Sequence, residues 1–169
     1  MSRLYTGVDP GSNGAIATIT SAGEILEISR FSEAETHGMI ALIVADHLAA
    51  MVKVNADLSA AIERVGAMPR QGVASTFTFG RVYGEAFGGL LCSGIKVESV
   101  TPAAWQRELG LPKRVDPTSH KRALKQLAEA RWGRRFTLAE CDAVWIAEWC
   151  RIHGPWKVTP SLGAHHEQP

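Results

Sequence analysis

The sequence is easiest to place by what it lacks. No apolar run approaches the roughly 18 residues that a membrane-spanning helix needs. Its beginning lacks the basic-then-apolar layout of a secretory leader. Cysteine is scarce: Cys92, Cys141 and Cys150 are three in number, widely separated, and form no Cys-x-x-Cys pair. That excludes a disulfide framework and gives no zinc-finger spacing, so reduced thiols packed as small hydrophobes are expected. No sign of charge dominates, the formal net charge being +1. Internal repeats and low-complexity segments are absent as well. These absences predict a cytoplasmic protein that does not engage membranes.

What is present is ordinary for a folded domain: 169 residues, 46% hydrophobic and 21% charged. Residues 1–154 are expected to form that domain. The stretch Pro155–Pro169, rich in Gly, Pro and His, is expected to be a tail, and His165-His166 within it calls for no metal. The near-neutral total conceals a local excess. Eight basic residues lie between Lys113 and Arg135 (Lys113, Arg114, Lys121, Arg122, Lys125, Arg131, Arg134 and Arg135), opposed only by Asp116 and Glu129. Such a stretch is either a phosphate-binding face or a solvated helix surface.

Apolar patterning and turn residues predict strands over Leu4–Val8, Ala15–Thr20 and Glu24–Arg30, joined by Asp-Pro-Gly-Ser-Asn-Gly and Ser-Ala-Gly turns. Helical spacing of Met39, Ile40, Ile43, Val44, Leu48 and Met51 predicts a helix over His37–Val54. A strand over Leu58–Val65, a Gly/Pro-rich loop over Gly66–Gly72, a helix over Ala74–Cys92 and a strand over Lys96–Val100 follow. Thr101-Pro102 starts a short helix ending near Gly110, and helices over Pro117–Trp132 and Thr137–Ile152 complete the chain. Three antiparallel strands followed by alternating helices and strands predict an α/β fold of the RNase H-like kind, with a mixed five-stranded sheet flanked by helices.

Three acids stand out against this pattern. Asp9 closes the first strand, where an aspartate beside Pro10 and Gly11 is also a common turn former. Glu63 is the one charged residue closing the run from Leu58, and either needs a buried partner or pairs with Arg64. Asp142 lies near the start of a helix whose Ala139, Ala143, Ile146 and Ala147 should face the sheet, a place also favoured by the helix dipole. Two strand ends and one helix start put all three acids at one sheet edge. Carboxylates without His or Cys suit hard cations such as Mg²⁺ or Mn²⁺, and two such ions serve phosphodiester hydrolysis.

From Leu4 to Trp149 the sequence resembles the RuvC-type Holliday junction resolvases, above all the compact phage-encoded branch. Gly7-Val8-Asp9-Pro10-Gly11-Ser12-Asn13-Gly14-Ala15 is similar to the family's first catalytic strand and turn. Ala61-Ile62-Glu63, followed by Pro69-Arg70-Gln71-Gly72-Val73-Ala74-Ser75 and Phe79-Gly80-Arg81-Val82-Tyr83-Gly84, resembles its second acidic strand and the loop behind it. Val100-Thr101-Pro102-Ala103-Ala104-Trp105 looks like its V-x-P-x-x-W segment, and a basic helix with Lys121 precedes Cys141-Asp142-Ala143.

The resemblance implies a homodimeric crossover junction endodeoxyribonuclease. It would resolve four-way or other branched DNA by paired symmetric nicks, using two Mg²⁺ ions (Mn²⁺ substituting) per active site. Asp9, Glu63 and Asp142 match three of the family's metal-binding acids; where the fourth is expected this sequence has Ala139, and Glu140 is the nearest substitute. Lys121 matches a lysine placed at the scissile phosphate. Arg70, Lys113, Arg114, Arg122 and Lys125 would position the DNA backbone. The loop Met68–Gln71 would reach the junction centre, with Met68 or Phe77 near an unstacked base, although the aromatics Phe77, Phe79, Tyr83 and Phe87 more often serve core or dimer packing. Gly80, Gly84, Gly88 and Gly89 would admit a close neighbour, either a second subunit or the chain's own sheet. Rival readings are an RNA-processing RuvC relative and a phosphotransferase of the actin and sugar-kinase type, whose first strand also ends in Asp-x-Gly.

Overall fold

A computed structural model describes residues 3–11, 13–33, 39–52, 57–64, 66, 72–113 and 116–154. Five strands are observed: β1 (Arg3–Asp9), β2 (Ala15–Thr20), β3 (Ile25–Arg30), β4 (Asp57–Glu63) and β5 (Lys96–Val100). The helices are α1 (Met39–Val52), α2 (Val73–Cys92), α3 (Pro102–Glu108), α4 (Pro117–Trp132) and α5 (Leu138–His153), with a 3-10 turn at Phe31–Glu33. Each expected element is present within a few residues of its expected bounds. The expected C-terminal tail lies outside the described residues, as do Met68, Arg70 and Arg114.

The sheet order is β3-β2-β1-β4-β5. The β1–β2 and β2–β3 pairs are antiparallel, whereas β1–β4 and β4–β5 are parallel. This is the mixed five-stranded, RNase H-like sheet expected from the element order. β1 lies at its centre, covered on both faces, which explains why it is apolar almost throughout rather than alternating. One face packs Leu4, Val8, Ile16, Ala60 and Ile62 against α1 and α2. The other packs Tyr5, Ala15, Ala17, Ile19 and Ala61 against α5, with α3 and α4 outside it.

Two local features bring α5 to the sheet. A side chain at Gly7 would collide with the backbone of Ala143 and Ala147, so only glycine lets the helix lie directly on β1. Ala143, Ile146 and Ala147 are fully buried there, and Ala139 is half-buried at the upper end. Thr137 caps the helix: its side chain accepts from Glu140 N at 3.2 Å, and Glu140 Oε2 accepts from Thr137 N at 2.6 Å, a complete capping box. On the other face a polar chain crosses from sheet to helix. Thr6 Oγ1 meets Thr18 Oγ1 at 2.8 Å, Thr18 Oγ1 meets His47 Nε2 at 2.8 Å, and Ser29 Oγ meets His47 Nδ1 at 3.0 Å.

Two sequence expectations are revised. Cys141 and Cys150 are buried thiols as expected, but Cys92 is exposed, because it ends α2 on the side away from the core. The glycines of α2 divide. A side chain at Gly89 would press on Val44 and Ala41 of α1, so this one serves packing within the chain. One at Gly80, Gly84 or Gly88 would meet nothing within 4 Å among the described residues.

Candidate active site

β1 and β4 run parallel, so Asp9 and Glu63 end neighbouring strands at the same edge of the sheet. α5, seated on Gly7, brings Asp142 over them. The three acids line one cavity of about 680 Å³ together with Lys121, Phe79, Arg30, Asn13, Ser32 and the Thr137–Ala139 start of α5. Among the described residues no ion pair within 4.0 Å closes on any of the three carboxylates.

Their environment disfavours their charge. Burial pushes the Asp142 carboxyl up to about 7, and the charges of Asp9 and Glu63 push in the same direction. Glu63 is likewise raised to about 7, by burial first and then by Asp9, against a lowering hydrogen bond from Trp105. Asp9 is raised by burial, opposed by the Gly11 N–H and by Lys121. Among the described residues, Lys121 is the cation that draws down all three.

Glu63 is held through one of its oxygens by Trp105. Thr101 Oγ1 accepts from Ala104 N and Pro102 begins α3, which starts directly after β5. This short helix buries Trp105 to 1% exposure, and its Nε1 donates to Glu63 Oε2 at 2.9 Å.

The donor set suits a hard divalent cation: carboxylate oxygens alone, crowded, mutually repelling, and short of positive charge. Among the described residues no three acidic, His or Cys side chains already surround one point as ligands.

Of the residues singled out from sequence, Asp9, Glu63, Asp142 and Lys121 come together. Glu140 does not join them. Its carboxylate is turned back into the capping box, with Oε1 3.9 Å from Arg30 Nε, and it is absent from the cavity wall. Ala139 lines the cavity where an acid was expected. Lys113 and Arg122 are exposed outside the cavity, and Lys125 pairs with Glu129 at 3.8 Å. Phe77 is 74% exposed and away from the acids, while Phe79, assigned to packing, lines the cavity. Arg30 and Trp105 had no assigned role. The Thr-x-x-Glu pattern at Thr137–Glu140 was a legible capping signature, whereas no sequence signal placed Arg30 beside the acids.

No protein-family model matches the sequence, and no curated protein sequence does. Solved structures do. RuvC of Thermus thermophilus in complex with Holliday junction substrate superposes with a TM-score of 0.62 at 17% identity, over 90% of this chain and 96% of that one. A second Thermus thermophilus RuvC structure gives 0.61 at 17% identity, over 86% and 92%. At this identity the likeness is one of architecture: the chain has the fold of RuvC.

Proposed function

We propose that the chain is a divalent-metal-dependent endonuclease that nicks Holliday junctions or similar branched DNA. The observation that carries this reading is the convergence of Asp9, Glu63 and Asp142, buried and mutually repelling, with Lys121 as their shared cation. A fold that buries three acids together at a cost to its own stability is built for a cation and an anionic substrate.

Asp9, Glu63 and Asp142 would hold Mg²⁺ or Mn²⁺. When bound, the two ions supply an activated water and charge stabilisation for the leaving oxygen of the phosphodiester. Trp105 holds one Glu63 oxygen and leaves the other for the cation. Lys121 meets the scissile phosphate and offsets the charge that develops on it. Glu140 stays in its cap, because to ligate it would have to abandon the Thr137 N–H. Lys113, Arg114, Arg122, Lys125 and Arg70 hold backbone phosphates at a distance from the chemistry.

A four-way junction presents two equivalent strands, and a two-fold dimer presents two equivalent sites. The line Val73, Phe77, Gly80, Gly84 and Leu91 on α2 is exposed and has helical spacing, and among the described residues none crowds its two glycines or the half-buried Gly88, which suits it to a second copy.

The test is incubation with Mg²⁺ or Mn²⁺ and, in parallel, a four-way DNA junction, a linear duplex, an RNA hairpin and ATP. Paired symmetric nicks in the junction are expected, and Asp9→Asn should abolish them while keeping junction binding. Cleavage of the RNA alone, or ATP hydrolysis without nicking, overturns the proposal.

A further inference from the structure

We infer that Arg30 is a second phosphate-positioning residue, gripping the cleaved strand on the side of the acids opposite Lys121. The inference rests on the nuclease reading and adds to it a residue and a path for the strand.

Asp9 pairs with Ala15, and Ala15 with Arg30, so the three form one row across β1, β2 and β3. Directly paired residues share a face of the sheet, which puts Arg30 on the face of Asp9 and α5. Two strand spacings separate its backbone from that of Asp9, roughly 10 Å. Ala15 between them is fully buried and short, leaving the space above it open. The Arg30 guanidinium accordingly lines the same cavity as Asp9, Glu63 and Asp142.

Lys121 arrives from the other direction. It sits on the first turns of α4, where His120 Nε2 meets Gln106 Oε1 of α3 at 3.1 Å, and α3 is the helix that holds Glu63. Arg30 comes from β3, at the edge of the sheet away from β5. A strand crossing between these two flanks is held in line by a cation at each, through its backbone phosphates. Arginine suits the task, because its planar fork meets two phosphate oxygens at once.

The side chain is also held in place. Glu140 Oε1 lies 3.9 Å from Arg30 Nε, and the capping box fixes Glu140 in turn. Arg30 remains 49% exposed at its side chain, and it lines the cavity that holds the acids. Glu140 therefore acts on the substrate through Arg30.

The experiment compares wild type, Arg30→Gln and Arg30→Lys in the full chain. Nicking of a four-way junction is followed in Mg²⁺, and junction binding is measured in Ca²⁺ across a salt series. Arg30→Gln should raise KM about tenfold with kcat little changed. It should also flatten the plot of log affinity against log salt by about 0.9, the loss of one phosphate contact. Arg30→Lys should keep the wild-type slope. A junction with one uncharged methylphosphonate at the contacted position should weaken wild type and leave Arg30→Gln unaffected. An unchanged slope in Arg30→Gln, or no methylphosphonate position that distinguishes it from wild type, overturns the inference while the nuclease reading stands. A wild-type protein that neither binds nor nicks the junction overturns both.

Discussion

Trp105 donates its indole N–H to Glu63 Oε2 at 2.9 Å, joining residues 42 apart in sequence inside the cavity wall. The contact both orients the carboxylate and lowers its pKa against the burial that raises it. Trp105→Phe keeps an aromatic ring and removes the donor. It should weaken Mn²⁺ binding, read by calorimetry, and raise the Mg²⁺ needed for half-maximal nicking, by about 10–100-fold. The acid limb of the pH–rate profile should also move upward.

Asp142 costs the metal-free protein stability. Its folded pKa, about 7, lies above the ordinary 3.8. The folded state therefore binds more protons than the unfolded one between those values, and stability is lost as pH rises through about 7. Asp142→Asn should raise the melting temperature in EDTA at pH 8 by a few degrees, about 1–2 kcal/mol, and change it little near pH 3. Adding Mg²⁺ at pH 8 should stabilise wild type and leave the variant nearly unmoved.

His47 works in the opposite sense. Burial holds it at about 4, below its ordinary 6.5, so the unfolded chain takes up the proton first. The stability it contributes is complete above pH 6.5 and is lost as pH falls towards 4. Urea midpoints of wild type and His47→Gln should converge as pH is lowered from 7 to 4.5. Parallel lines would mean that the Thr6–Thr18–His47–Ser29 chain does not depend on a neutral ring.

Glu140→Gln retains the capping box, since glutamine serves it as well as glutamate. Metal dependence should be unaltered, and junction affinity should fall modestly through a loosened Arg30. A large rise in the Mg²⁺ requirement would return Glu140 to the ligand set.

Gly7→Ala places a methyl group against the backbone of α5. The helix must shift, at a cost of about 1–3 kcal/mol or more, and Asp142 shifts with it. Nicking should fall much further than the urea midpoint, because a displacement of about 1 Å is enough to spoil the alignment of catalytic groups.

Much of this protein is legible from its order of residues. Apolar periodicity, the turn after Asp9 and the Thr101-Pro102 start mark elements by local physics alone, and each is found. Asp9, Glu63 and Asp142 each have an ordinary structural explanation, and they are recognisable because two strand ends and a helix start bring them to one sheet edge. The Thr137–Glu140 cap was equally local.

Other features belong to no local stretch. That β1 lies between β2 and β4, so that Asp9 and Glu63 end side by side, follows from how the sheet buries its most apolar strand. The row Asp9, Ala15, Arg30 exists only through register, and the Trp105–Glu63 bond only because α3 folds back beside β4. Identical glycines on α2 took different roles once α1 covered Gly89 and left Gly80, Gly84 and Gly88 bare. The sequence by itself determined the elements and the three acids, since short-range sterics and hydrophobic spacing act along the chain. Only the tertiary structure decided which cations and hydrogen-bond donors surround those acids, since that depends on the packing of residues far apart in sequence.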